Sequence, residues 1–143
     1  MDNERKNILV LEDSETRIGL MREALGTLPG SFTLQCWDNV WAMRKQMPRW
    51  LPSAYLISLD YDLGDSRTPN PGNGMDAVQA LSGHQPMCPI IVHTSLSQEG
   101  REMVRALRER GWSAEQVLFN KREAVQEWLN AVEMLTGLDQ RHP

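Results

Sequence analysis

The sequence predicts an α/β domain in which a parallel sheet is covered by helices on both faces and its crossovers are right-handed. Two observations carry this. Short apolar runs alternate with stretches of helical period, five of each. Each of four runs ends on a residue able to do chemistry: Glu12 and Asp13 after Ile8-Leu9-Val10-Leu11, Asp60 after Tyr55-Leu56-Ile57-Ser58-Leu59, Thr94 after Pro89-Ile90-Ile91-Val92-His93, and Lys121 after Val117-Leu118-Phe119-Asn120. Ligand sites of open α/β sheets lie at that edge.

The elements follow in order. Ser14 can cap a first helix whose Ile18, Met21, Leu25 and Leu28 share one face and which ends before Pro29-Gly30. Phe32 to Trp37 is a second strand, and Asp38 can cap a short helix carrying Val40, Met43 and Met47 that stops before Pro48. The third strand ends at Asp60. Residues 61–73, rich in Asp, Pro, Gly and Asn, form a loop longer than the usual strand-to-helix connection. Met75, Val78 and Leu81 mark the third helix, Met103, Val104 and Leu107 the fourth, and Val125, Trp128, Leu129, Val132 and Leu135 the fifth. Gly72-Asn73-Gly74 is expected to be a turn, because it is too short and wrongly placed for a phosphate-cradling loop.

Composition narrows the function. The 143 residues make one expected domain, 1–143, with no output domain and a core burying roughly two thirds of the unfolded surface. A net charge of −4 gives no general attraction to nucleic acid or membrane, and neither is expected as a partner. No apolar stretch approaches the roughly 20 residues that span a bilayer. Cys36 and Cys88 lack metal-ligand spacing and are expected to be buried reduced thiols, which fits a soluble cytoplasmic protein. The five tryptophans are expected mostly to pack, and Arg101, Arg105, Arg108 and Arg110 to form a solvated basic face of the fourth helix.

Glu12, Asp13 and Asp60 suit one Mg²⁺ ion (or Mn²⁺), which takes only one or two carboxylates directly. Asp60 beside such an ion can attack phosphorus to give an acyl phosphate, with Lys121 neutralising the transferred oxygens. Thr94 can donate its hydroxyl to a phosphoryl oxygen. Each has a structural alternative: the acidic pair as first-turn charge, Thr94 as a turn residue, Lys121 as a solvated side chain. Their coincidence at four ordered strand ends favours a phosphoryl or metal site.

At these residues the chain resembles the receiver domain of two-component response regulators. Asn7 to Ser14 is similar to that family's first strand and acidic pair, Tyr55 to Asp60 to its phosphoacceptor strand, Pro89 to Ser95 to its hydroxyl-bearing strand, and Asn120-Lys121 to its closing lysine. The resemblance implies the flavodoxin-like strand order 2-1-3-4-5, with Mg²⁺ held by the acidic residues. It also implies that Asp60 accepts phosphate from a histidine kinase, a phosphotransfer protein or a small phosphodonor. Arg122 stands where receivers usually have a proline, and Leu118 where they often carry an aromatic switch residue. Residues 60–74 exceed the common receiver loop by about half a dozen.

Ser58 to Asp65, His93-Thr94-Ser95 and Gly100 to Met103 give a narrower resemblance, to the cyclic-phosphate-processing receiver domains, with Tyr61 in place of an expected histidine. That resemblance implies an enzyme acting on a cyclic-phosphate substrate at the same metal centre. His93 would be an acid or base, Asp62 an added metal ligand and Arg101 a phosphate contact. His93 can equally be a satisfied histidine within the fourth strand. The sequence thus places a signalling phosphoacceptor first, a cyclic-phosphate enzyme second, and a degenerate receiver that only binds a partner protein third.

Overall fold

The computed structural model describes residues 5–138. Its elements are β1 (Arg5–Leu11), α1 (Glu15–Leu25), β2 (Ser31–Trp37), α2 (Val40–Trp50), a 3-10 turn (Leu51–Ser53), β3 (Ala54–Leu59), α3 (Gly74–Leu81), β4 (Ile90–Thr94), α4 (Ser97–Glu109), β5 (Ala114–Leu118) and α5 (Ala124–Thr136). The five strands form one parallel sheet in the order β2-β1-β3-β4-β5, as predicted.

The side-chain period of two splits the central strands between two cores. Leu9, Leu11, Ile57, Leu59, Ile90 and Val92 pack with Val40, Met43, Met47, Val78, Leu81, Met103 and Leu107 of α2, α3 and α4. Ile8, Val10, Leu56 and Ile91 pack on the other face with Met21, Leu25, Trp128, Leu129 and Val132 of α1 and α5. Burial on both faces explains why these strands read as continuous apolar runs.

Several boundaries differ from expectation. The cap of α2 is Asn39, whose side chain accepts from the Ala42 N–H at 2.8 Å; Asp38 instead accepts from the Asn39 amide at 2.9 Å. The helix runs past Pro48 to Trp50, because a proline in the last turns removes only one internal bond while buried Met47 and Leu51 hold the segment down. The first helix ends at Leu25, short of Leu28. The fifth strand starts at Ala114, before its apolar run, and Phe119 continues the pairing through its N–H to the Thr94 carbonyl at 3.0 Å. Cys36 and Cys88 are free but half-buried. Trp37, Trp112 and Trp128 are buried, whereas Trp41 is exposed and donates to the Asn70 carbonyl at 2.6 Å.

Gly72-Asn73-Gly74 proves to be a helix start. Asn73 forms a capping box with Asp76, accepting from the Asp76 N–H at 3.2 Å while Asp76 accepts from the Asn73 N–H at 3.0 Å. Gly72 adopts φ of 81°. Gly74 is needed for space: a Cβ there would lie 2.7 Å from the Asp60 carbonyl oxygen and 2.6 Å from the Met103 thioether. Gly74→Ala should therefore destabilise the domain by about 1–3 kcal/mol, as overpacking does. Urea unfolding would measure this, and unchanged stability would show that the close approach is not enforced.

Candidate functional site

Register builds the site. Leu11 pairs with Leu59, and Leu59 with Val92, so the next residues, Glu12, Asp60 and His93, fall in one row across three adjacent strands. Backbone bonds from Asp60 N–H to the Leu11 carbonyl (3.0 Å) and from Glu12 N–H to the Trp37 carbonyl (3.0 Å) keep the row in place. By alternation these side chains share the face of Ile8, Val10, Leu56 and Ile91 and turn toward α1 and α5. Glu12 and Asp60 are each 1% exposed, and His93 and Thr94 fully buried.

Each group in the row has partners. His93 Nε2 lies 3.0 Å from Glu12 Oε1, and His93 Nδ1 lies 2.6 Å from Ser58 Oγ. The Trp128 indole donates to Ser58 Oγ at 2.9 Å. Glu12 Oε2 accepts from the backbone N–H groups of Asp13 and Ser14, both at 3.0 Å. Arg17 enters from the first turn of α1, where Ser14 Oγ caps its N–H at 3.2 Å. Its Nη1 lies 3.4 Å from Asp60 Oδ2 and 3.7 Å from Glu12 Oε1.

Burial governs the electrostatics. Desolvation pushes the Asp60 carboxyl up to about 6, opposed by His93, a Thr94 hydroxyl hydrogen bond and Arg17. Desolvation also raises Glu12 and Asp13, the latter further raised by its neighbour Glu12. The His93 ring is pushed down to about 4 by burial, so it is neutral at pH 7. The centre thus crowds carboxylates around one partly exposed guanidinium.

The long loop is pinned. The Asp65 N–H donates to Asp13 Oδ2 at 2.6 Å, Asp62 Oδ1 closes a turn on the Gly64 N–H at 2.9 Å, and Leu63 is buried. Farther on, the Val40 N–H bonds to the Pro71 carbonyl at 2.8 Å and the Gly74 N–H to the Tyr61 carbonyl at 2.9 Å. A pocket of about 170 Å³ opens over Asp13, Arg17, Asp60, Asp62, Asp65 and Ser95. Asp13 and Asp65 also line a neighbouring cleft of about 540 Å³, walled by Trp37, Asp38, Asn39 and Arg67.

The sequence-predicted residues divide. Glu12, Asp13, Asp60, Asp62, His93 and Thr94 converge at this edge. Lys121 is exposed in a separate cleft of about 340 Å³ that also holds Arg17 and Arg122, and among the described residues the cation paired with Asp60 is Arg17. Arg101 is exposed, bonds to Ser97 Oγ at 2.7 Å and lines a groove between α4 and β5. Sequence reasoning missed Arg17, whose signal was its place one turn beyond the Ser14 cap. It also missed Ser58 as a partner of His93, although both interrupt otherwise apolar central strands.

The profile of the cyclic-phosphate processing receiver domain matches residues 8–109. The chain belongs to this family. The search of curated proteins returned no match. Among solved structures, this receiver domain is similar to the response regulator domain of Thermotoga maritima CheB (15% identity, 94% of this chain and 98% of that one, TM-score 0.65). It is also similar to the phosphorylated cyanobacterial phytochrome response regulator RcpA (15%, 92% and 94%, TM-score 0.69) and to the Mn²⁺-bound form of response regulator Rcp1 (20%, 90% and 91%, TM-score 0.64). At these identities the likeness concerns the fold. No helix among the described residues is long and apolar enough to cross a membrane.

The donor set of the receiver domain fits a divalent metal. Glu12 and Asp60 offer carboxylate oxygens within 4.8 Å of each other, His93 Nε2 is turned onto Glu12 Oε1 rather than left for an ion, and Asp13 joins Asp60 around the small pocket. Oxygen-rich donors suit Mg²⁺ or Mn²⁺. One consequence concerns pH. Because the folded Asp60 carboxyl is raised from 3.8 to about 6, its protonated form favours the folded state. Its contribution is complete below about pH 4 and lost as pH rises through 6, by about 3 kcal/mol in metal-free protein. The stability difference between wild type and Asp60→Asn across pH 4 to 8 should show this fall, and saturating Mg²⁺ should abolish it. A flat metal-free difference would contradict the assignment.

Proposed function

We propose that this domain is a divalent-metal-dependent hydrolase that opens cyclic phosphodiesters at the centre formed by Glu12, Asp13 and Asp60. The observation that carries the reading is the pinned loop: its bond from Asp65 to Asp13 turns an open sheet edge into the wall of a 540 Å³ cleft. That volume is in the range of small-molecule sites. The family match supports the substrate class.

In this reading Glu12, Asp13 and Asp60 hold Mg²⁺ or Mn²⁺, with Asp62 as an added oxygen donor. When bound, the cation supplies charge neutralisation at the phosphoryl oxygens and a more acidic water. Arg17 and Ser95 line the carboxylate pocket and bind the phosphate oxygens. The water oxygen bonds to phosphorus and the bond to one ring ester oxygen breaks. The water's proton passes through a site carboxylate to the departing oxygen, leaving a phosphomonoester and a hydroxyl. His93 acts through Glu12 rather than on substrate, since both its ring nitrogens are engaged within the core.

A second reading has support in Asp60 at the end of β3 with Thr94 hydrogen-bonded to it: phosphoacceptance from a histidine kinase, a phosphotransfer protein or a small phosphodonor. The burial of Asp60 beneath the loop and the exposed position of Lys121 favour the first. A cytoplasmic location suits both.

Incubation with Mg²⁺ and a panel of cyclic mononucleotides and oligonucleotides ending in a cyclic phosphate should yield phosphomonoesters. Asp13→Asn should lower turnover roughly 100-fold or more, as loss of a metal ligand or its support does. Arg67→Ala, at the far wall of the cleft, should raise KM severalfold with kcat nearly unchanged, the pattern of lost uniform binding. A stable phosphoryl mass on Asp60 from acetyl phosphate, with no turnover of any cyclic substrate, would replace this reading with the second.

A further inference from the structure

We propose that Ser58 and Trp128 are positioning residues for the metal centre. They act through a one-way buried hydrogen-bond chain, Trp128 to Ser58 to His93 to Glu12, that fixes the His93 tautomer and holds Glu12 as an oriented carboxylate. The proposal rests on reading Glu12, Asp13 and Asp60 as a metal centre and is independent of the substrate.

The direction of the chain follows from the donor inventory. An indole N–H can only donate, so Ser58 Oγ accepts from Trp128 at 2.9 Å. Ser58 then has its own hydrogen to give, and the polar atom facing it is His93 Nδ1 at 2.6 Å. A ring that accepts at Nδ1 and is neutral carries its hydrogen at Nε2, which lies 3.0 Å from Glu12 Oε1. The opposite tautomer would leave Ser58 Oγ accepting twice and would set the Nε2 lone pair against a carboxylate oxygen. Only one orientation satisfies every atom.

The chain is sealed: Ser58, His93 and Trp128 are each 0% exposed, so water cannot replace a missing partner. It spans two layers, from α5 through β3 and β4 to the end of β1. Ser58 and Asp60 sit two residues apart on one face of β3, which lets the chain run directly beneath the carboxylate pocket. At its end Glu12 is clamped on both oxygens, Oε1 by His93 and Arg17 and Oε2 by the N–H groups of Asp13 and Ser14. Histidines and carboxylates held this way keep their geometry when a cation arrives, and losing such support typically costs 10- to 100-fold in metal affinity or activity.

The test reads tautomer and metal affinity separately. Long-range ¹H–¹⁵N correlation spectra of the metal-free full chain should show His93 protonated at Nε2 and bare at Nδ1, and titration should give the Mg²⁺ affinity. Ser58→Ala should leave the hydrogen on Nε2, where Glu12 holds it, but strip Nδ1 of its donor, moving the Nδ1 ¹⁵N resonance downfield toward that of an unbonded ring nitrogen, and weaken Mg²⁺ binding about 10- to 100-fold. Ser58→Thr, which keeps the hydroxyl, should restore both readouts, and Trp128→Phe, which keeps the packed ring but removes the N–H, should weaken binding in the same direction by less. Should Ser58→Ala fail to fold, Trp128→Phe and Ser58→Thr carry the comparison. A wild type that binds Mg²⁺ with hydrogen on Nδ1 would overturn the chain alone, as would an unchanged Mg²⁺ affinity in folded Ser58→Ala and Trp128→Phe. A wild type with the Nε2–H ring but no Mg²⁺ binding would overturn the metal reading beneath it and the positioning role together.

Discussion

The pairing of Leu11 with Leu59 and of Leu59 with Val92 fixes where the next residue of each strand falls, and the next residues are Glu12, Asp60 and His93. A one-residue slip in a parallel sheet would send all three to the opposite face, into the core shared by α2, α3 and α4. Apolar burial on both faces prevents the slip, because it would also drive Leu9, Leu11, Ile57 and Leu59 toward the wrong helices. The hydrophobic core and the polar row are therefore a single register constraint. Arg17 and Trp128 reach the row because it faces the side where α1 and α5 lie.

That row is electrostatically expensive. Two nearly buried carboxylates lie beside a neutral imidazole and one guanidinium that is only partly withdrawn from water. Burial raises Glu12, Asp13 and Asp60 together, which makes the clustered carboxylates costly to keep ionised. Arg17 is the one cationic partner among the described residues, shared between Glu12 and Asp60, and the other restraints are uncharged: backbone N–H groups hold Glu12 and the loop N–H of Asp65 holds Asp13.

The loop marks this receiver domain as different from an open sheet edge. It is tied to α2 through Trp41 and the Val40 N–H, to the site through Asp65, and to the core through Leu63. Gly74 lets it return under α4 within contact of the Asp60 backbone. A segment anchored at so many points is a fixed wall of the clefts beside Asp13.

The sequence by itself determined the five alternating units, the two-faced burial of the central strands and the carboxylates at the sheet edge, because periodicity and strand-end position are local properties. It also marked residues 61–73 as an unusual connection and Ser14 as a cap. Tertiary structure decided which residues meet. Arg17 rather than Lys121 pairs with Asp60, since the direction in which α1 leaves β1 brings its first turn over the row while Lys121 lies beyond the end of β5. Asn39 caps α2 because Asp38 is taken up by the Asn39 amide and by Thr68 of the long loop, whereas the Asn73 cap that makes Gly72-Asn73-Gly74 a helix start is a local bond to N–H groups two and three residues on. Ser58, His93 and Trp128 are separated by 35 and 70 residues in their contacts, and no local pattern links them. Register and the packing of α5 do, because hydrogen-bond direction and desolvation exist only once the layers have closed.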